Sequence, residues 1–142
     1  MKETMNCISI VFDVLESFFK WFLGGADNLL CVLAVIAVID CITGVVCANI
    51  SKEFSLSEFL KGICKKLLIF TLIGISNMVD TYVLDQAGVL RNTVILFYLS
   101  TEAASVLKNA DQIGLVIPRI LKRVINLLRE KGDEGDENSG AK

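Results

Sequence analysis

Apolar positions fill three long stretches of this chain, and charged positions gather between them. Leu29–Ala48, LLCVLAVIAVIDCITGVVCA, is twenty residues with a single charge, Asp40. Leu67–Leu84, LLIFTLIGISNMVDTYVL, is eighteen with a single charge, Asp80. Arg91–Asn109 is the third stretch and the least apolar, with Glu102 near the centre of its apolar part. At about 1.5 Å per helical residue, each is about long enough to cross a hydrocarbon core of roughly 30 Å. The first is apolar on nearly every face, unlike a helix of a soluble bundle. The pattern predicts an all-α integral membrane protein: a transmembrane domain over 29–109 with three spans at about 29–48, 67–84 and 91–109.

The flanks read differently. In residues 1–25, Ser9, Asp13, Glu16 and Lys20 recur on one side of a helix, with Ile8, Val11, Phe12, Leu15, Phe18, Phe19 and Phe22 on the other. Gly24-Gly25 then breaks this amphipathic helix. It is expected to lie in the membrane interface, and the alternative is a fourth, short span. Beyond the third span, Pro118 suits the first turn of a helix over 118–131. Ile120, Leu121, Val124, Leu127 and Leu128 take one face of it, and Arg119, Lys122, Arg123, Asn126 and Arg129 the other. A basic amphipathic helix of this kind binds an anionic lipid surface. Residues 132–142, GDEGDENSGAK, form an acidic, Gly-rich tail expected to be disordered.

Loop charge orients the spans. Ser51–Lys66 carries Lys52, Lys61, Lys65 and Lys66 against Glu53 and Glu58, whereas Asp85–Gly88 has no lysine or arginine. The positive-inside rule puts the first loop and the C-terminus in the cytoplasm. The mean hydropathy of +0.61 is high for a soluble protein. A net charge of −2 provides no basic field for nucleic acid. Acidic and basic residues interrupt the N-terminal apolar region, which argues against a signal peptide. There is no histidine, and the five cysteines have no zinc-site spacing. They read as small hydrophobes. With no nucleophile–base pairing visible, neither an enzyme nor a cofactor is expected.

Each span holds one carboxylate, and a central Asp facing lipid costs about 2.5–3.5 kcal/mol. Polar neighbours share a face with each. Thr43, Gly44 and Cys47 accompany Asp40, and Ser76 and Asn77 accompany Asp80. The third span has the longest stripe, through Arg91, Tyr98, Thr101, Glu102, Ser105 and Asn109, interrupted by Val94 and Ile95. Two readings stand. The seams face one another, with the acids protonated or paired and Arg91 the only cation on that stripe, and with Gly44 and Ser105 admitting close packing. Alternatively, the seams line a wet opening made by several copies.

The ordered pieces DCITG, a lysine-rich loop with LKG and KK, SNMVD, LRNTVILFYLSTEAASVLKN and IGLVIPRIL resemble the toxin-secretion/phage-lysis holin family over roughly residues 29–125. The matching positions are Asp40, Gly44, Gly62, Lys65 or Lys66, Asp80, Arg91, Phe97, Tyr98, Glu102, Ser105, Asn109, Gly114 and Pro118. Thr101 and Ala103 stand where relatives often carry Asn and Gly. The resemblance implies a homo-oligomer in the bacterial cytoplasmic membrane. It would open holes through which an endolysin, or in some relatives a toxin, leaves the cell for host lysis. The alternatives are a small ion channel or transporter subunit, or a membrane scaffold without a pore.

Overall fold

The computed structural model describes residues 1–127 and residue 130, and those residues contain helices and no strand. In order they are α1 (Lys2–Leu23), α2 (Asn28–Ile50), α3 (Leu56–Val79), α4 (Val89–Gln112) and α5 (119–127). One π-helical turn, Asp80–Leu84, prolongs α3.

Local chemistry sets the breaks. Gly24 ends α1 in the left-handed region, at φ 78°, where a side chain would strain the backbone. Asp27 then caps α2, its Oδ1 accepting from the Leu30 N–H at 2.9 Å. The turn after α3 needs two more left-handed residues, Asp85 and Gly88. Between α2 and α3 only residues 51–55 are non-helical. The basic segment expected to be a loop up to Lys66 is therefore largely the first three turns of α3.

Helices α2, α3 and α4 form the bundle. Helix α4 is its centre, packed closely on α2 and less extensively on α3, while α2 and α3 touch each other little. The core takes one fully buried residue from each helix, Leu33, Ile73 and Ile95, with Leu30, Ile69 and Leu99 around them. The outer faces are as apolar as the core: Val35, Val38 and Ile42 of α2 and Leu67, Leu68 and Leu72 of α3 are all exposed. Such a surface needs apolar surroundings.

Two helices, Asn28–Ile50 and the continuous Leu56–Leu84, are long and apolar enough to cross a membrane. The expected third span is not a third such helix. Although α4 has 24 residues, its polar stripe dilutes it. The stripe faces the bundle, with Arg91 and Glu102 only 4% and 3% exposed. A helix that keeps its polar side chains inside loses the apolar average by which a span is recognised.

Helix α1 stands apart. None of its residues is buried. Apart from one hydrogen bond, from Arg91 of α4 to the Leu23 carbonyl, it packs on the bundle at α3. There the Phe22 ring lies against Gly74, leaving no room for a Cβ at that position. Close approach, expected at Gly44, occurs instead at Gly74; the nearest neighbour a Cβ on Gly44 would meet is Asn109 Nδ2, at 3.8 Å. Gly74→Ala is expected to leave α3 intact, since alanine favours a helix by about 1 kcal/mol over glycine. It should also displace Phe22 and free the end of α1. Limited proteolysis at Gly24-Gly25 checks this: cleavage should speed up in Gly74→Ala with α3 still protected.

Candidate functional site

The polar residues of the bundle gather in two clusters, one on each side of the apolar layer of Leu33, Ile73 and Ile95. On α4 the clusters centre on Arg91 and Glu102, about 16 Å apart along the axis.

In the first cluster, Asp80 is 1% exposed. Its carboxylate accepts from the backbone N–H groups of Leu90 at 3.1 Å and Arg91 at 2.7 Å. These are orphan donors of the first turn of α4, whose own N-cap, Gly88, has no side chain to offer them. Asp80 thus caps α4 from another helix, and its charge also suits the positive helix end. The Arg91 guanidinium turns the other way. It donates to the Leu23 and Gly25 carbonyls and, at 2.6 Å, to Asp27. Asn77 donates to the Trp21 and Phe22 carbonyls at 3.3 and 3.1 Å. The last carbonyls of α1 are therefore held by side chains of α3 and α4.

In the second cluster, Lys66 of α3 is bonded to both Asp40 of α2, at 2.7 Å, and Glu102 of α4. Asn109 donates to the other Asp40 oxygen at 3.2 Å and to the Thr43 hydroxyl at 3.0 Å. The Cys47 thiol donates to the Asn109 carbonyl at 3.1 Å. Buried charge is tolerated only when paired and hydrogen-bonded, and here one ammonium satisfies carboxylates from two helices. A cleft of about 320 Å³ opens beside it, between the second half of α2, the first half of α3 and α4, with Phe54 and Phe59 in its walls.

The structure thus joins some sequence-selected residues and separates others. Asp40, Thr43, Glu102 and Asn109 share one cluster; Asn77, Asp80 and Arg91 share the other. Gly44, Thr101 and Ser105 line the cleft. The Thr101 hydroxyl also donates to the Phe97 carbonyl at 3.0 Å. Tyr98 packs on the edge of the apolar core. Arg119, Lys122 and Arg123 are exposed on α5, whereas Arg129 and the tail 132–142 lie outside the described residues.

The cation expected to answer the acids was Arg91. Within the protomer it is Lys66, and Arg91 serves the α1–α2 linker instead. The lysine run reads as a loop boundary in the sequence, which hides Lys66 as an inward partner of the acids. Its spacing to Ile69, Ile73, Ser76 and Asp80 was the available signal, since those positions share one helical face.

A bundle with two helices long and apolar enough to cross a membrane, and with charges paired inside it, defines a small all-helical protein with an apolar exterior. The comparisons make the class specific. The model of the bacteriophage holin family matches residues 17–130, and the chain belongs to that family. It is 32% identical over 116 residues to a protein named "Probable holin" of Bacillus phage phi105, covering 82% of this chain and 85% of that one. An uncharacterized protein of Listeria monocytogenes is 34% identical over 84% of both chains. The uncharacterized YqxH of Bacillus subtilis is 31% identical over 98% of this chain and 96% of its own. No solved structure matches the chain.

The hydrogen bond from Arg91 holds the Asp27 carboxyl below the usual carboxylate range, against the opposing effect of burial. A lowered folded-state pKa contributes stability above the ordinary value of about 3.9, and that contribution is lost as pH falls through the folded value. In detergent-solubilised protein, Trp21, the only tryptophan, should report release of the linker below about pH 4. Asp27→Asn should lack that acid step in Trp21 emission.

Proposed function

We propose that the chain is a holin: it oligomerises in the bacterial cytoplasmic membrane and opens holes that release an endolysin, or a toxin, from the cytoplasm. The observation that carries this reading is the Asp40–Lys66–Glu102 cluster, three charges from three helices closed inside an apolar bundle. Family membership and the name of the phage relative support it. In this reading α4 crosses the membrane with α2 and α3, its polar groups shielded by theirs. The C-terminus lies in the cytoplasm, as loop charge favours, and α1 lies in the opposite interface. The bundle described above is then the closed protomer. To form a hole, copies turn the α4 stripe from one another's interiors toward water. The decisive experiment is expression in a bacterial host holding a folded reporter of cell-wall-hydrolase size in its cytoplasm. Escape of the reporter supports a holin. Loss of ions alone identifies a narrow channel, and neither event leaves a scaffold.

Two expected outcomes follow from this arrangement. In a chain freed of its five cysteines, single cysteines at Tyr98, Thr101 and Ser105 should react with a membrane-impermeant thiol reagent only after lysis begins. Equal reaction at Leu96, Ala104 and Leu107 would remove α4 from the lining of the hole.

Helix α5 is expected to tune timing. Each Lys or Arg near an anionic surface contributes about 1 kcal/mol. Neutralising Arg119, Lys122, Arg123 and Arg129 together should therefore shift the moment of lysis at unchanged membrane level. Complete loss of lysis would assign the helix to the hole itself.

A further inference from the structure

We infer that Lys66 is the latch that keeps the protomer closed, and that the charge ratio of its cluster sets the ease of opening. The inference rests on the holin reading for its consequence, but its geometry stands apart from it. Lys66 alone, among the described residues, forms ion pairs with both other bundle helices. Direct packing between α2 and α3 is slight, so the ammonium supplies a link from α3 to α2 that apolar contact does not. The cluster holds two carboxylates against one ammonium. Asp40 has Asn109 as a second partner, whereas the only hydrogen bond of the Glu102 side chain among the described residues comes from Lys66. The cleft borders all three side chains. Water entering it reaches the ion pairs without crossing the apolar layer, so separation of α3 from α2 and α4 starts there.

Charge arithmetic gives opposite signs to neighbouring substitutions. Lys66→Gln leaves Asp40 and Glu102 with no ion-pair partner, Lys65 lining the cleft without pairing to either, and the closed state weakens. Glu102→Gln leaves one carboxylate for one ammonium, and the amide oxygen still accepts from Lys66, so the closed state is kept or strengthened. Asp40→Asn produces the same balance on the other side. Lys66→Arg keeps the charge and should behave like the parent. A role in folding alone would move all of these in one direction.

The experiment measures lysis time, membrane level and thiol labelling of a Ser105→Cys probe in the same cells, in the cysteine-free background. Lys66→Gln is expected to lyse early and to label at Ser105→Cys before lysis. Glu102→Gln and Asp40→Asn are expected to lyse late. Each shift should be about three-fold or more, since even an exposed ion pair can change an equilibrium about five-fold. If Lys66→Gln fails to accumulate, the paired delays of the two acid substitutions and the normal timing of Lys66→Arg carry the test. Shifts of all variants in the same direction, or none, overturn the latch. Early labelling in Lys66→Gln without release of the reporter by any version would support the latch and overturn the holin reading.

Discussion

The need to satisfy the polar side chains of α4 inside a bundle whose exterior is apolar governs this structure. Lipid-like surroundings offer no partners to a buried acid or guanidinium, so each must find one within the protein. Asp80 finds two backbone N–H groups, Arg91 finds the α1–α2 linker, and Glu102 finds Lys66. These pairings explain why α4 is the central helix. It carries the most polar groups, and two apolar helices shield it.

The same pairings divide the molecule by role. The cluster at Asp80 and Arg91 is built largely on backbone groups and helix ends, which fold with the chain. The cluster at Asp40, Lys66 and Glu102 is built on side-chain ions beside an open cleft, and water can replace each partner. The first cluster holds the ends of α1, α2 and α4 together, and the second is the part that changes state in the proposed opening.

Much of this was legible in the sequence. The long apolar runs of α2 and α3, the break at Gly24-Gly25, and the placing of Glu102 and Asn109 on one polar stripe and of Asp40 with Thr43 on another follow from helical periodicity; which way those stripes face does not. Three features did not. The polarity of α4 made it look like a weaker span, because hydropathy averages over a helix and cannot tell an inward polar face from an outward one. Lys66 looked like loop, because a lysine cluster is a good boundary marker until one of its members pairs inside the helix. The notch at Gly74 depends on where Phe22 arrives, and that is fixed by hydrogen bonds from Asn77 and Arg91 across more than fifty residues of chain.

The corner made by Asp27, Arg91 and Asp80 gives the bundle the mechanics of a lever. There the end of α1 and the beginnings of α2 and α4 are bolted together, and α3 is tied in through Asp80. At the far end α2 and α3 are joined by residues 51–55 and by the Lys66–Asp40 ion pair, with the cleft beside them. A fulcrum at one end and compliance at the other convert rotation into displacement that grows with distance. Over a helix of about 35 Å, each 10° or so of splay at the corner moves the far end by about 6 Å. In the proposed opening, the side of the protein bearing the lysine-rich first turns of α3 therefore travels farthest, while the side bearing α1 hardly moves.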